Sequence, residues 1–243
     1  PSKSDPVAWH VGIGEEIVDG LIPVRIVVAL TAQETVKLSP ISRTFSHGDR
    51  LKLRGRLAKN YREPSALAMG PDGVIESIPI QENGDDFALE LGLNRGPWVV
   101  ELIATGPSGP VPLTQMTFYV DQELPRRYQH RWPPDDHKLN DPKAYLMQLV
   151  NQARKRFGGA SLIHDRQLDQ IAHAHSIDMM NHEFVGHLSP NTGTIGDRLE
   201  MAQYDGLTFG ENVALNGSIT DAHEGLLRSL GHRRNLLSKQ FTH

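Results

Sequence analysis

The uneven distribution of proline along the 243-residue chain constrains its organisation more than any other feature. Fourteen of the 16 prolines lie in residues 1–138, whereas eight of the 12 histidines lie in residues 139–243. So abrupt a change in composition predicts a domain boundary near Pro133 and Pro134. The segment 123–138, which is rich in charge, proline and aromatic residues, is interpreted as a linker.

Residues 39–122 have the pattern of short β-strands. Arg50–Leu57 alternates polar and apolar residues with a period of two, as a strand does when one face is buried. Pro71 and Gly73 flank an aspartate in a typical turn sequence. Further strands are predicted at 87–91, 98–104 and 116–120. Short strands separated by turns predict a β-sandwich, and their order is similar to that of bacterial immunoglobulin-like modules.

Residues 139–243 change to a helical period. Asp141 followed by Pro142 predicts a helix start. A second helix is expected from Asp165, with His175 on its apolar stripe, and a third from about Ser218. This half is therefore predicted to be mostly helical.

Residues 1–38 hold two further strand candidates. Trp9–Gly14 and Val24–Thr31 are joined by a polar segment, which predicts a β-hairpin. A two-stranded hairpin is not stable alone, so it must pack on another part of the protein.

Charge, cysteine content and hydropathy exclude several classes of protein. The formal net charge of −4 gives no electrostatic footprint for nucleic acid. The absence of cysteine excludes disulfides, thiolate zinc sites and cysteine nucleophiles. The longest purely apolar run, Ile26–Leu30, is far shorter than the roughly 20 residues of a membrane-spanning helix, so no transmembrane segment is expected.

The histidines do not form a known zinc motif. His173 and His175 are two residues apart, which places their rings on different sides of a helix. The His-Glu-x-x-His pattern of zinc proteases is absent. We expect His175 to be a hydrogen-bonded core residue, and His173 and His182 to lie on the surface.

Three short strings place polar side chains in apolar settings. They span residues 184–190, 210–214 and 229–237. Together they supply two imidazoles and one carboxylate, from His187, His232 and Glu211. If the strings converge, these groups could bind a divalent ion, relay protons or form a buried polar network.

These strings, with Leu149–Arg154 and Asp197-Arg198, resemble the CAP superfamily in its bacterial SCP-like form. The superfamily includes the cysteine-rich secretory, antigen 5 and pathogenesis-related class 1 proteins. The resemblance covers about 105 residues. It implies an α-β-α sandwich with a central cleft and a secreted or envelope location. It also implies a lipid, a glycan or another protein as ligand, without selecting among them.

The cleft of this family is described by two histidines and two acidic residues. Carried over, they fall on His187, Glu211 and, for the second histidine, His232. The second acidic residue would fall near Ser229, where this chain has serine. Glu224 is close in sequence, but the resemblance does not place it in the cleft. A polar network that fixes loops and a ligand-binding site are both open interpretations.

Three functions remain open from the sequence. The favoured one is a non-catalytic binding or interaction module. The alternative is a metal-dependent hydrolase, in which His187 and His232 hold Zn²⁺ and Glu211 acts as a general base on the bound water. The third is a structural surface spacer without a site.

The resemblance also concerns the N-terminal hairpin. After a string like 235–243, bacterial members continue with a hairpin that completes the sheet, and residues 10–14 and 24–30 are similar to it. The hairpin could complete the sheet in cis, pair in trans in a swapped homodimer, or end a preceding copy in a tandem array. The fold expected is α+β: a CAP-like α-β-α sandwich of residues 139–243 completed by residues 1–38, with an immunoglobulin-like sandwich at 39–122.

Overall fold

The computed structural model describes residues 9–18, 24–125, 140–206 and 208–243. The strands are β1 (Trp9–Val18), β2 (Val24–Gln33), β3 (Val36–Leu38), β4 (Thr44–Phe45), β5 (Arg50–Leu57), β6 (Arg62–Met69), β7 (Ile75–Ile78), β8 (Ile80–Asn83), β9 (Asp86–Gly92), β10 (Gly96–Gly106) and β11 (Gly109–Val120). The helices are α1 (Pro142–Arg156), α2 (Arg166–Asn181), α3 (Ile195–Met201), α4 (Ile219–Arg228) and α5 (Leu230–Leu236). The α+β class is confirmed.

Strands β3 to β11 form a β-sandwich. One sheet has the order β4-β11-β10-β6-β7 and the other β3-β5-β9-β8. Alternate side chains of β5 and β9 meet those of β10 and β11 in a core that includes Leu51, Leu53, Val100, Leu102 and Phe118. The strands predicted from the sequence are present, because alternating apolar residues need a second sheet to cover them. The immunoglobulin-like assignment stays a prediction.

The central strand β10 has two covered faces. Val100 and Leu102 point into the sandwich core, so Glu101 and Ile103 point to the outer face of the sheet. Glu101 is nevertheless 1% exposed. Helix α5 covers it, since a side chain on Gly231 would contact both Ile103 and Glu101. The helical part therefore packs against the outside of the five-stranded sheet.

The helix starts predicted from the sequence are confirmed. The carboxylate of Asp141 caps α1, that of Asp165 caps α2, and the Ser218 hydroxyl caps α4. Two short helices, α3 and α5, are not foreseen from the sequence. Each has seven residues, which is too short to show a helical period. A capping box between Thr194 and Asp197 nevertheless defines the start of α3.

The hairpin predicted at the N-terminal end is present. β1 and β2 pair antiparallel from Trp9 opposite Gln33 to Val18 opposite Val24 and form a sheet of their own. Val11 and Ile13 are 64% and 75% exposed.

Completion of a CAP-like sheet by this hairpin stays a prediction, in cis or in trans. Within 140–206 and 208–243 the structure has only a single β-bridge, between Ser189 and Gly193. The proposed domain limits likewise stay predictions. Most of the proposed linker, residues 126–138, lies outside the described residues.

Arg154 connects α1 to the C-terminal segment of the helical part. Its guanidinium donates to the backbone carbonyls of Ala160, Leu236, Ser238 and Phe241 at 2.7 to 3.3 Å. The side chain is 1% exposed, so these carbonyls have little access to water as an alternative partner.

We expect Arg154→Met to lower the free energy of unfolding of the helical part by about 3 kcal/mol, because several buried carbonyls lose a charged donor. Urea denaturation followed by circular dichroism at 222 nm measures it. Lys155→Met, at the exposed neighbouring position, is the matched control and should stay within about 0.5 kcal/mol of the parent protein. Equal effects of the two variants would contradict the role assigned to Arg154.

Candidate functional site

The loop that carries His187 is held by α2. Asp178 accepts hydrogen bonds from the side chains of Ser189, Asn191 and Thr192. The Ser189 hydroxyl in turn accepts from the backbone N–H groups of Asn191 and Thr192. These bonds, led by that of Ser189, keep the pKa of Asp178 below its usual value. The loop is therefore fixed by an ionised carboxylate.

His187 and Glu211 meet although 24 residues separate them. Nδ1 of His187 lies 2.9 Å from Oε1 of Glu211, and Arg198 donates to Oε2 at 2.6 Å. Arg198 also donates to the carbonyls of Gly193 and His187 at 2.8 and 3.3 Å. The Arg198 side chain is only 5% exposed. A buried guanidinium thus ties the loop after α3 to the loop before it.

The Glu211 carboxyl is ionised in this setting. Its burial favours the neutral acid, but hydrogen bonds from His187 and Arg198, and the charge of Arg198, outweigh burial and hold the pKa below its usual value. An ionised carboxylate can only accept, so Nδ1 of His187 carries the hydrogen. In the neutral imidazole, Nε2 is then an acceptor, and it has no partner within the described residues.

His232, in α5, lies beside His187. The ring centroids are 6.5 Å apart and the planes are inclined by 37°. Burial, and to a smaller degree the neighbouring His187, lower the pKa of His232 below the ordinary histidine value. His232 therefore presents an uncharged imidazole at neutral pH.

Both imidazoles and Glu211 line one cavity of about 640 Å³ at the junction between the helical part and the sandwich. This volume is in the range of sites for small molecules, which occur preferentially at domain interfaces. The convergence predicted from the three strings is thus found in the structure. The helical part also supplies Asn212, Ser229, Gly231, Arg234, Asn235, Ser238, Lys239, Gln240 and Phe241, and the sandwich supplies Glu101, Ile103, Pro110 and Pro112.

Bonds from the sandwich hold both walls of this cavity. The Glu101 carboxylate accepts from Ser229 and from the backbone N–H groups of Leu230 and Gly231. The Ser108 carbonyl, in the turn between β10 and β11, accepts from the backbone N–H of His187 at 2.9 Å. The site is therefore built by two parts of the chain.

Sequence reasoning gave no role to two residues that hold the site, Arg198 and Glu101. Arg198 appears in the resemblance only as part of a motif, without a role. Glu101 is the single charged residue in the apolar run Trp98–Ala104. A lone carboxylate in a central strand must find partners outside the sheet, and that pattern could have identified it.

The remaining candidates lie outside the cavity. Glu224 is exposed and pairs with Arg228 on its own helix. His175 is buried and donates from Nε2 to the carbonyl of Gly186 at 2.9 Å, as expected of a core histidine. His173 and His182 are exposed, as predicted.

The donor set does not match a catalytic zinc site. Such sites use three protein ligands, whereas the cleft offers two imidazoles, and both oxygens of Glu211 already have partners. In the described part of the chain no three or more His, Cys, Asp or Glu side chains are grouped to hold a metal ion. The zinc roles of His187 and His232 stay a prediction.

Comparison with known proteins places this geometry in a family context. Residues 147–243 match the model of the cysteine-rich secretory protein family, named CAP. The helical part is CAP-like. This confirms the resemblance found in the sequence, for about two fifths of the chain.

Two curated proteins of Bacillus subtilis strain 168 share this part. The chain is 37% identical over 99 residues to the uncharacterized membrane protein YlbC and 33% identical over 100 residues to the uncharacterized protein YkwD. Each match covers 40% of this chain, and 29% and 38% of the relatives. The chain thus spans only about a third of the length of these relatives.

A solved structure matches along the whole chain. It is an extracellular protein of Bacillus anthracis strain Ames that contains an SCP domain, with 24% identity, a TM-score of 0.42, and coverage of 100% of this chain and 83% of that one.

None of the helices in the described residues combines the length and apolar character that crossing a membrane requires.

We expect the titration midpoint of His232 to lie below that of an ordinary histidine and to rise in His187→Gln, while remaining low because burial is the larger cause. As pH falls through the histidine range, the unfolded chain takes up this proton first, so acidification destabilises the fold. NMR of the imidazole C–H groups measures the midpoint. His173→Gln is the control, and an unchanged midpoint in His187→Gln would refute the coupling.

Proposed function

We propose that this chain belongs to a secreted bacterial CAP-like protein whose cleft binds a small polar ligand without catalysis. The observation that carries the proposal is the fixed pair of imidazoles. His187 is oriented by Glu211, whose charge Arg198 balances, and it lines the junction cavity together with His232. Within the described residues the Nε2 of His187 has no hydrogen-bond partner. Fixed polar groups in a concave site confer ligand specificity.

The electrostatics of Glu211 favour binding over general-base catalysis. A general base works best when its pKa is near the working pH, whereas the pKa of Glu211 is held low. Both of its oxygens are also occupied, at 2.9 and 2.6 Å. Its chemistry is that of a residue that orients His187.

The lining of the cavity favours a ligand rich in hydroxyl or other polar groups. Arg234 and Lys239 offer cationic donors. The side-chain amides of Asn212 and Asn235 bond to each other and to backbone carbonyls, so they hold the wall of the cavity. Apolar surface comes mainly from Ile103, the two prolines of β11 and Phe241. This mixture fits a glycan, whose rings present polar edges and apolar faces, better than an acyl chain. The secretory family supports a location outside the cytoplasm.

Saturation-transfer NMR tests the proposal with three probes: the trisaccharide of N-acetylglucosamine, trialanine and dihexanoyl-phosphatidylglycerol. We expect the trisaccharide to bind. In the His187→Ala, His232→Ala double variant its affinity should fall about tenfold or more, because two hydrogen bonds are lost.

His173→Ala, which changes an exposed histidine of the same part, is the matched control and should leave binding unchanged. Binding that is equal in the double variant would disprove the cleft as the site. Cleavage of the trisaccharide by the parent protein would disprove the non-catalytic assignment, and selective binding of trialanine or the lipid would disprove the glycan.

A further inference from the structure

Helix α5 begins with a cap supplied by another part of the chain. Ser229 is its N-cap residue, but the serine side chain makes no capping hydrogen bond. Instead Oε1 of Glu101 accepts from the Gly231 N–H at 2.9 Å and the Ser229 hydroxyl at 3.2 Å, and Oε2 accepts from the Leu230 N–H at 3.0 Å. A strand of the sandwich therefore satisfies donors that a helix normally satisfies locally.

This contact determines where His232 lies. His232 is the third residue of α5, so its ring moves with the first turn of the helix. A Cβ on Gly231 would lie 3.3 Å from Cδ1 of Ile103 and 3.4 Å from Oε1 of Glu101. The first turn thus packs directly on β10, so closely that the tip of Ile103 would have to shift slightly to admit a Cβ.

His187 is held from the same side. Its backbone N–H and that of Leu188 donate to the Ser108 carbonyl at 2.9 and 3.1 Å. Gly186 approaches Ser108 so closely that a Cβ there would overlap it. Strands β10 and β11 and their turn thus fix the backbone beside both imidazoles.

We propose that Glu101 is a positioning residue of the cleft, which places His232 by capping α5, and that the sandwich is thereby part of the binding site. Ser229 stands where the family resemblance places a second acidic residue, and the carboxylate that contacts this position comes from the sandwich. The inference deepens the proposed function, on which its relevance to ligand binding rests.

The test uses the whole chain without ligand. Glu101→Gln keeps the shape of the side chain but places an amide N–H₂ against backbone donors. We expect the imidazole resonances of His232 to shift and its titration midpoint to rise towards the ordinary histidine value, since a displaced ring gains contact with water. Unchanged resonances and midpoint in a folded Glu101→Gln protein would overturn the proposal.

Two further variants separate positioning from general destabilisation. Gln115→Ala removes another bond across the junction, from the Gln115 side chain to the Arg228 carbonyl at 2.7 Å. It should leave the resonances and the titration midpoint of His232 unchanged. Ser229→Ala removes one contact of Glu101 without altering a buried charge. It should shift the His232 titration midpoint in the same direction as Glu101→Gln, but by less. If Glu101→Gln fails to fold, the His232 titration midpoint of Ser229→Ala tests the proposal, and an unchanged midpoint would overturn it.

A rescue variant provides the sharpest readout. Ser229→Asp added to Glu101→Gln places a carboxylate at the N-cap of α5 itself. We expect it to return the His232 midpoint only in part towards the parent value, because the bond to β10 is not restored. Full rescue would show that a local cap is sufficient, and would overturn the role of the sandwich in positioning His232.

The two proposals can fail separately. If the parent protein does not bind the trisaccharide, the proposed function is refuted, while the effect of Glu101→Gln on the His232 midpoint can still be measured. Conversely, a parent protein that binds the trisaccharide, with His232 unaffected by Glu101→Gln, would refute only the role of Glu101.

Discussion

The contact between the Glu101 carboxylate and the first turn of α5 is the interaction on which the junction depends. A carboxylate that is 1% exposed is stable only if it is well hydrogen bonded, and three donors of the helical part meet that need. The two parts depend on each other here: α5 removes the carboxylate from water and supplies its donors, and without Glu101 the helix would begin uncapped. The cleft lies along this shared boundary.

Buried polar groups also organise the rest of the helical part. Its buried apolar side chains are few among the described residues, whereas Arg154 and Arg198 are both nearly inaccessible to water. The Arg154 guanidinium binds carbonyls 82 and 87 residues away in sequence. That of Arg198 joins the segments on either side of α3. Breaking such a buried set is costly even where its net contribution is small, so these residues select one loop arrangement. That selectivity keeps the loop of His187 in one arrangement beside His232.

What the sequence predicts well is local. Alternation in β5 and the caps Asp141, Asp165 and Ser218 identify strands and helix starts, because these depend on neighbours a few residues away. The three strings name His187, Glu211 and His232 as candidates, and these residues line one cavity, while their roles stay predictions. The pairings of Arg198 and Glu101 could not be predicted, because a charge that pairs across 13 or 128 residues leaves no periodic trace of its partner. The lone charge in the apolar run of β10 signals only that Glu101 needs a partner outside the sheet. The two helices of seven residues are missed because they are too short to show a helical period.

A site shared by two parts has a thermodynamic consequence. A ligand that contacts groups of both sides stabilises their docking by the same free energy by which docking improves its affinity. Ile103, Pro110 and Pro112 on the sandwich face His187 and His232 across the cavity, so any ligand that fills it touches both parts. Because the junction is secured largely by hydrogen bonds and by close packing at Gly231 and Gly186, small shifts there reach both imidazoles at once. The sandwich thus controls the geometry of the cleft that the CAP-like part contains.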